Sequence, residues 1–280
     1  MKPSAEGFFL DERNRKIHVR GWWAAFEPKA AILVVHGLGE HGGRYAKFAE
    51  HVTPRGFHVV ALDLPGFGQS EGKRGHIGRF GEFLECVEKA ALYFKEPEFS
   101  HLPMFLFGHS MGGLIAFHAA VRLQKHFRGV ILSSPAFALS VSVPKWKRLA
   151  GRLADRILSG VTLPHGLDLR FLSHDPAVIQ EYKSDPLIHD RISARLFAEL
   201  LRAMKEVPQA ASRMSLPLLV QIGGEDPFIN RRVIEHVLER IPGQDKELLV
   251  YENFYHEPYN ELERHLAYED LERWILKHLK

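Results

Sequence analysis

The chain has 280 residues, of which 45% are hydrophobic and 25% charged, enough apolar mass for one large core. The formal net charge is only +3, and Lys and Arg are spread along the whole length, so a dedicated nucleic-acid surface has no support. Cys86 is the sole cysteine, which excludes an internal disulfide; the 17 histidines are scattered, without His-Glu-x-x-His or paired Cys/His spacings that would hold a metal.

The opening residues, Met1-Lys2-Pro3-Ser4-Ala5-Glu6, lack the apolar stretch of a signal peptide, and no later segment reads as a membrane span. A cytoplasmic protein is the expectation. Strands are predicted at 17–23 and 31–36. The second, Ala31-Ile32-Leu33-Val34-Val35-His36, is apolar throughout, which predicts a central strand covered on both faces. A strand at 58–63 and a helix at 80–94 follow, Cys86 falling in the helical pattern as a buried, inert thiol. Next come a strand at 104–109, a helix at 111–126 and a strand at 129–134.

From Ala136 to about Asp185 the alternation breaks. This stretch carries Pro144, Pro164 and Pro176, short apolar patches and no convincing strand, and it predicts a mainly helical insertion. Within it Trp146, Leu149, Ala150, Leu153, Ile157 and Leu158 recur at helical spacing against a basic remainder, a face suited to packing on the main domain, to an acyl chain or to a membrane surface. Alternation resumes with strands at 218–222 and 247–251 and helices at 232–240 and 261–279, with Asn230 and Asn260 as predicted N-caps. The class is α/β, a mostly parallel sheet with helices on both faces; residues 1–135 and 186–280 form the core and 136–185 a cap.

The motif Gly108-His109-Ser110-Met111-Gly112-Gly113 lies between a predicted strand and a predicted helix, the context Gly-x-Ser-x-Gly requires. A strand reversing sharply into a helix strains the central residue and leaves no room for side chains two positions before and after it. Ser110 is therefore the candidate nucleophile, and Met111 N–H, at the positive end of the helix, a candidate oxyanion donor. The second donor is expected from the loop after the central strand, at Leu38 in His36-Gly37-Leu38-Gly39-Glu40-His41; His36 and His41 read as loop architecture.

A serine hydroxyl needs a base, and the base needs a carboxylate to hold its tautomer. The strand at 218–222 runs into Gly223-Gly224-Glu225-Asp226, making Asp226 the candidate acid with Glu225 as fallback. The last strand leads into Tyr255-His256-Glu257, making His256 the candidate base at the same sheet edge; His265 and His278 lie on the terminal helix and are poorly placed.

These motifs, together with Arg44-Tyr45, the segment Asp63-Leu64-Pro65-Gly66-Phe67-Gly68-Gln69-Ser70-Glu71-Gly72 and Ser184-Asp185-Pro186-Leu187, resemble the monoacylglycerol lipase and lysophospholipase group of the α/β-hydrolase superfamily over nearly the entire chain. The resemblance implies the α/β-hydrolase fold, hydrolysis of a carboxyl ester bearing one acyl chain, a cap over the site and no cofactor. It implies Ser110, Asp226 and His256 as triad, Leu38 and Met111 as oxyanion donors, and Arg44 and Tyr182 near the alcohol side of the ester. Phe137, Leu139 and Leu153 are the expected lining of the acyl pocket. The expected partner is a small lipid ester, with transient contact between cap and membrane. Rival expectations are a broad carboxylesterase, a lysophospholipase and, from another class, a ligand-binding module with a dead site.

Overall fold

The computed structural model describes residues 1–93, 101–139 and 159–279. Ten strands occur among these residues: β1 (Ala5–Leu10), β2 (Lys16–Trp22), β3 (Ala30–Val35), β4 (Phe57–Leu62), β5 (Met104–His109), β6 (Gly129–Ser133), β7 (Thr162–Pro164), β8 (Arg191–Ser193), β9 (Leu218–Gly223) and β10 (Lys246–Tyr251). The α-helices are α1 (Ala46–Val52), α2 (Gly81–Tyr93), α3 (Met111–Arg122), α4 (Pro176–Ser184), α5 (Ala194–Ala211), α6 (Arg231–Arg240) and α7 (His265–Lys277). None of them is long and apolar enough to cross a membrane.

Eight strands make one sheet in the order β1-β2-β4-β3-β5-β6-β9-β10. Its β1–β2 and β2–β4 pairs are antiparallel and the others parallel. The unbroken apolar run of β3 is explained by a buried face on each side. Leu33 and Val35 enter one core cluster with Phe83 of α2, Leu114 of α3, Leu200 of α5 and Ile234 of α6. Ile32 and Val34 enter the other, with Phe48 of α1 and Leu271 and Trp274 of α7. Burying each such side chain contributes about 1.5–3 kcal/mol, which is why the central strands tolerate no polar alternation.

The sheet reverses its strand order at β3, which lies between β4 and β5. The helices that follow β3 and β5, α1 and α3, pack on opposite faces of the sheet, and such a reversal is the usual place for a ligand in open α/β sheets. The donor loop follows β3, and Ser110 follows β5.

Several elements differ from expectation. Edge strand β1, helix α1 and helix α5 have no counterpart in the sequence reading. The chain expected to lack strands contains β7, which pairs antiparallel with β8. Three residues ending in Pro164 are too short to show a period. Asn230 caps α6, its side chain accepting from Val233 N–H. Asn260 does not cap the last helix: that helix begins at His265, and the Asn260 amide instead donates to Glu257. The basic apolar stretch at 145–158 lies outside the described residues.

Candidate active site

Ser110 is the residue between β5 and α3, with φ 54° and ψ −117°. A non-glycine side chain held there costs about 1–3 kcal/mol and is retained only where packing enforces it. Here the enforcement is contact of backbone with backbone. A Cβ on Gly112 would sit 2.2 Å from Val35 O and 2.4 Å from His36 O, and one on Gly108 2.4 Å from Gly112 O. Only glycines let the start of α3 press against β3 and β5, and that pressure turns the Ser110 hydroxyl outward.

The hydroxyl meets His256. Ser110 Oγ lies 2.9 Å from His256 Nε2, and His256 Nδ1 donates to Asp226 Oδ2 at 2.6 Å. The Asp226 carboxylate is fully shielded, and its other oxygen accepts from Phe228 N–H at 2.8 Å. Because Asp226 takes the proton-bearing Nδ1, Nε2 is left as the acceptor facing the serine. Burial disfavours the imidazolium, but the charge and hydrogen bond of Asp226 prevail and raise the His256 pKa above its ordinary value. Such a chain can take a proton from a hydroxyl and return it to a leaving group. Glu225, the fallback acid, is exposed at the neighbouring turn position, and the carboxylate bonded to His256 is that of Asp226.

Of the two expected donors, Met111 directly follows Ser110, and Leu38 follows Gly37, on which a Cβ would sit 3.3 Å from the Ser110 Cβ. Met111 is the first residue of α3, so its N–H has no intrahelical partner. Among the described residues, neither Met111 N–H nor Leu38 N–H donates to a protein acceptor. The loop bearing Leu38 is fixed from beneath. Glu40 Oε1 accepts from Gly37 N–H at 2.5 Å, while His36 accepts from Leu64 N–H through Nε2 and contacts Gly37 O through Nδ1. His41 contacts Asp185 Oδ2 at 2.9 Å. Both histidines are loop architecture, and burial lowers the His36 pKa, keeping it neutral.

Arg44 is the hub of a buried ion cluster that the sequence does not reveal. Its guanidinium donates to Glu40 Oε2 at 2.5 Å and, as a two-pronged fork, to Glu257 at 2.8 and 2.9 Å. Burial opposes both carboxylates, yet Arg44 outweighs it: the Glu40 pKa falls to about 2 and that of Glu257 is also lowered. Tyr182 stacks on the guanidinium at 4.9 Å, which joins the two residues expected on the alcohol side. His109 packs 4.9 Å from the His256 ring and is kept neutral, its pKa pushed down to about 4 by burial and by the neighbouring imidazole.

The expected acyl lining divides. Phe137 is buried in the core against Phe117, with ring centroids 4.9 Å apart, so its ring supports α3. Leu139 is 36% exposed, and Leu153 lies outside the described residues.

A nucleophile elbow at the reversal point of a mostly parallel sheet, with base and acid arriving from the last two strands, defines the α/β-hydrolase class of serine hydrolases. The chain belongs to the Hydrolase_4 family, whose model, described as serine aminopeptidase, S33, matches residues 26–263. It is 32% identical over 259 residues to a monoacylglycerol lipase of Mycolicibacterium smegmatis, covering 92% of each chain. It is also 34% identical over 246 residues to phospholipase YtpA of Bacillus subtilis, covering 86% of this chain and 93% of that protein. The crystal structure of Paleococcus ferrophilus monoacylglycerol lipase superposes with a TM-score of 0.84 at 32% identity, covering 94% of this chain and 99% of that one. The protein is a carboxylic ester hydrolase.

Proposed function

We propose that this enzyme hydrolyses monoacylglycerols to a fatty acid and glycerol, with Ser110 as nucleophile, His256 as general base and acid, and Asp226 as the group that orients it. The observation carrying this reading is the continuous hydrogen-bond chain from Ser110 through His256 to Asp226, at 2.9 and 2.6 Å. Ser110 Oγ attacks the ester carbonyl while His256 Nε2 takes its proton, and the tetrahedral oxyanion is held by Leu38 and Met111 N–H. His256 then protonates the departing alcohol. Water, deprotonated by the same imidazole, attacks the acyl-enzyme, and the proton passes to Ser110 Oγ as the acyl–oxygen bond breaks and the fatty acid leaves. Removing one oxyanion donor in such a site costs about 10²–10³ in rate.

The one-chain ester is supported by the relatives named as monoacylglycerol lipases, and the alcohol side by the stacked Arg44 and Tyr182 beside the donor loop. We take residues 136–185 as the cap that covers the acyl chain. A lysophospholipid is the second reading, favoured by the similarity to YtpA. Fluorophosphonate labelling of Ser110 separates an enzyme from a ligand-binding module, and Ser110→Ala should lose both the adduct and hydrolysis of p-nitrophenyl butyrate. Retained hydrolysis in that variant ends the assignment. A rate panel of monoacylglycerol, lysophosphatidylcholine, triacylglycerol and short p-nitrophenyl esters decides the substrate; a higher kcat/KM for lysophosphatidylcholine refutes the monoacylglycerol reading.

A further inference from the structure

The loop carrying His256 is held from outside the sheet by the segment that leads into α4. His256 N–H donates to Phe171 O at 3.1 Å, and Glu257 N–H to Leu172 O at 2.9 Å, a two-rung pairing of the base loop with the insertion. Ser173 Oγ donates to Asn260 O at 2.9 Å. One buried carboxylate joins the two segments: Glu261 accepts from His174 N–H at 3.1 Å, contacts His174 Nδ1 at 3.0 Å, and accepts from Tyr255 N–H at 2.8 Å. The His174 ring stacks on Tyr255 with centroids 3.6 Å apart.

The other end of α4 reaches the donor loop. Tyr182 packs on Arg44, Asp185 contacts His41, and just beyond, His189 N–H donates to Gly39 O at 3.0 Å. A nine-residue helix is about 14 Å long, and α4 has these two sets of contacts near its opposite ends.

We propose that residues 171–185 are a strut that sets the position of His256 relative to the donor loop, with His174 and Glu261 as positioning residues at its base-side end. The inference rests on His256 being the base. Its physical ground is that the peptide N–H of His256 itself is bonded to the insertion, so a shift of the strut moves the imidazole away from Ser110. A displacement of about 1 Å can cost about 10²-fold in rate.

The test uses His174→Ala, at a position 34% exposed, and Glu261→Gln. Each is assayed on p-nitrophenyl acetate and on a long-chain monoacylglycerol, with a pH profile. The titratable groups facing His256 are Asp226, Glu257, Glu40 and His109, and neither substitution removes any of them. We expect kcat to fall about tenfold on both esters with KM nearly unchanged, because the loss concerns the base and not the acyl chain. The acidic limb should move to lower pH as the contact with Asp226 loosens, and His174→Asn, whose amide can stand in for Nδ1, should restore rate and profile. A loss confined to KM for the long ester assigns the pair to acyl binding and overturns the strut, as does unchanged kcat. If Glu261→Gln does not fold, His174→Ala alone decides. Absence of fluorophosphonate labelling of Ser110 in the wild-type enzyme would instead strike the proposed function on which the inference rests.

Discussion

Arg44→Met should destabilise the protein by about 3 kcal/mol at pH 8, and by progressively less as the pH is lowered. Arg44 holds Glu40 and Glu257, both of them buried, and its removal leaves two carboxylates facing each other without a cation. The magnitude follows from Glu40, whose pKa falls from 4.5 to about 2, equivalent to about 3 kcal/mol and in line with the ~3–5 kcal/mol expected on breaking a buried ion pair. The sign follows from linkage. In the wild type the depressed pKa contributes stability that is present above the ordinary carboxylate value and lost only as the pH falls through about 2. In the variant one carboxylate holds a proton well above its ordinary range, so acid relieves the repulsion and the difference between the two proteins narrows toward pH 5. Urea unfolding at pH 5, 6.5 and 8 measures this. A loss below about 1 kcal/mol at pH 8, or a difference that does not change with pH, would refute the argument that Arg44 is what keeps both carboxylates charged.

Asp226→Asn should lower kcat by about 10⁴ while leaving the fold intact, because an amide permits the wrong imidazole tautomer; Glu225→Gln, at an exposed turn, should leave kcat unchanged. Equal losses in the two variants would show that Asp226 has no special role. The kcat/KM profile should lose activity as the pH falls through a value above 6.5, since the base must be unprotonated and its pKa is raised in the fold. An acidic limb at or below 6.5 would contradict the dominance of Asp226 over burial.

The strands that carry the site were legible because each is a short apolar run bounded by turn residues, and the residues of chemistry lie at their carboxyl ends. Ser110 was legible from its glycines, whose function is steric and therefore local. Helix α5 also had a readable signal, with Leu196, Leu200, Ala203 and Val207 buried at helical spacing from the N-cap Ser193, whose side chain accepts from Leu196 N–H. Pro208 inside that helix disguises its end. Strand β1 is exposed along most of its length, so its sequence carries little burial pattern to read.

Charges behave differently. Glu40 and Arg44 stand four apart in sequence and could be taken for an ordinary surface pair, whereas Glu257 is more than two hundred residues away. Only the fold buries all three together. Phe137 is likewise read from the sequence only as apolar, and its packing against Phe117 is a contact that only the fold shows.

What the sequence determined by itself is the glycine-flanked position of Ser110 and the chain order of its proposed partners: local sterics select glycine around a strained serine, and strand-end position points to Asp226 and His256. The tertiary structure alone decided how Arg44 holds two buried acids and that the His256 loop is bonded to the segment entering α4, and it pairs Asp226, the acid read from the sequence, with His256. Those are contacts between residues far apart in the chain, and their energies depend on distance and burial, which no local pattern encodes.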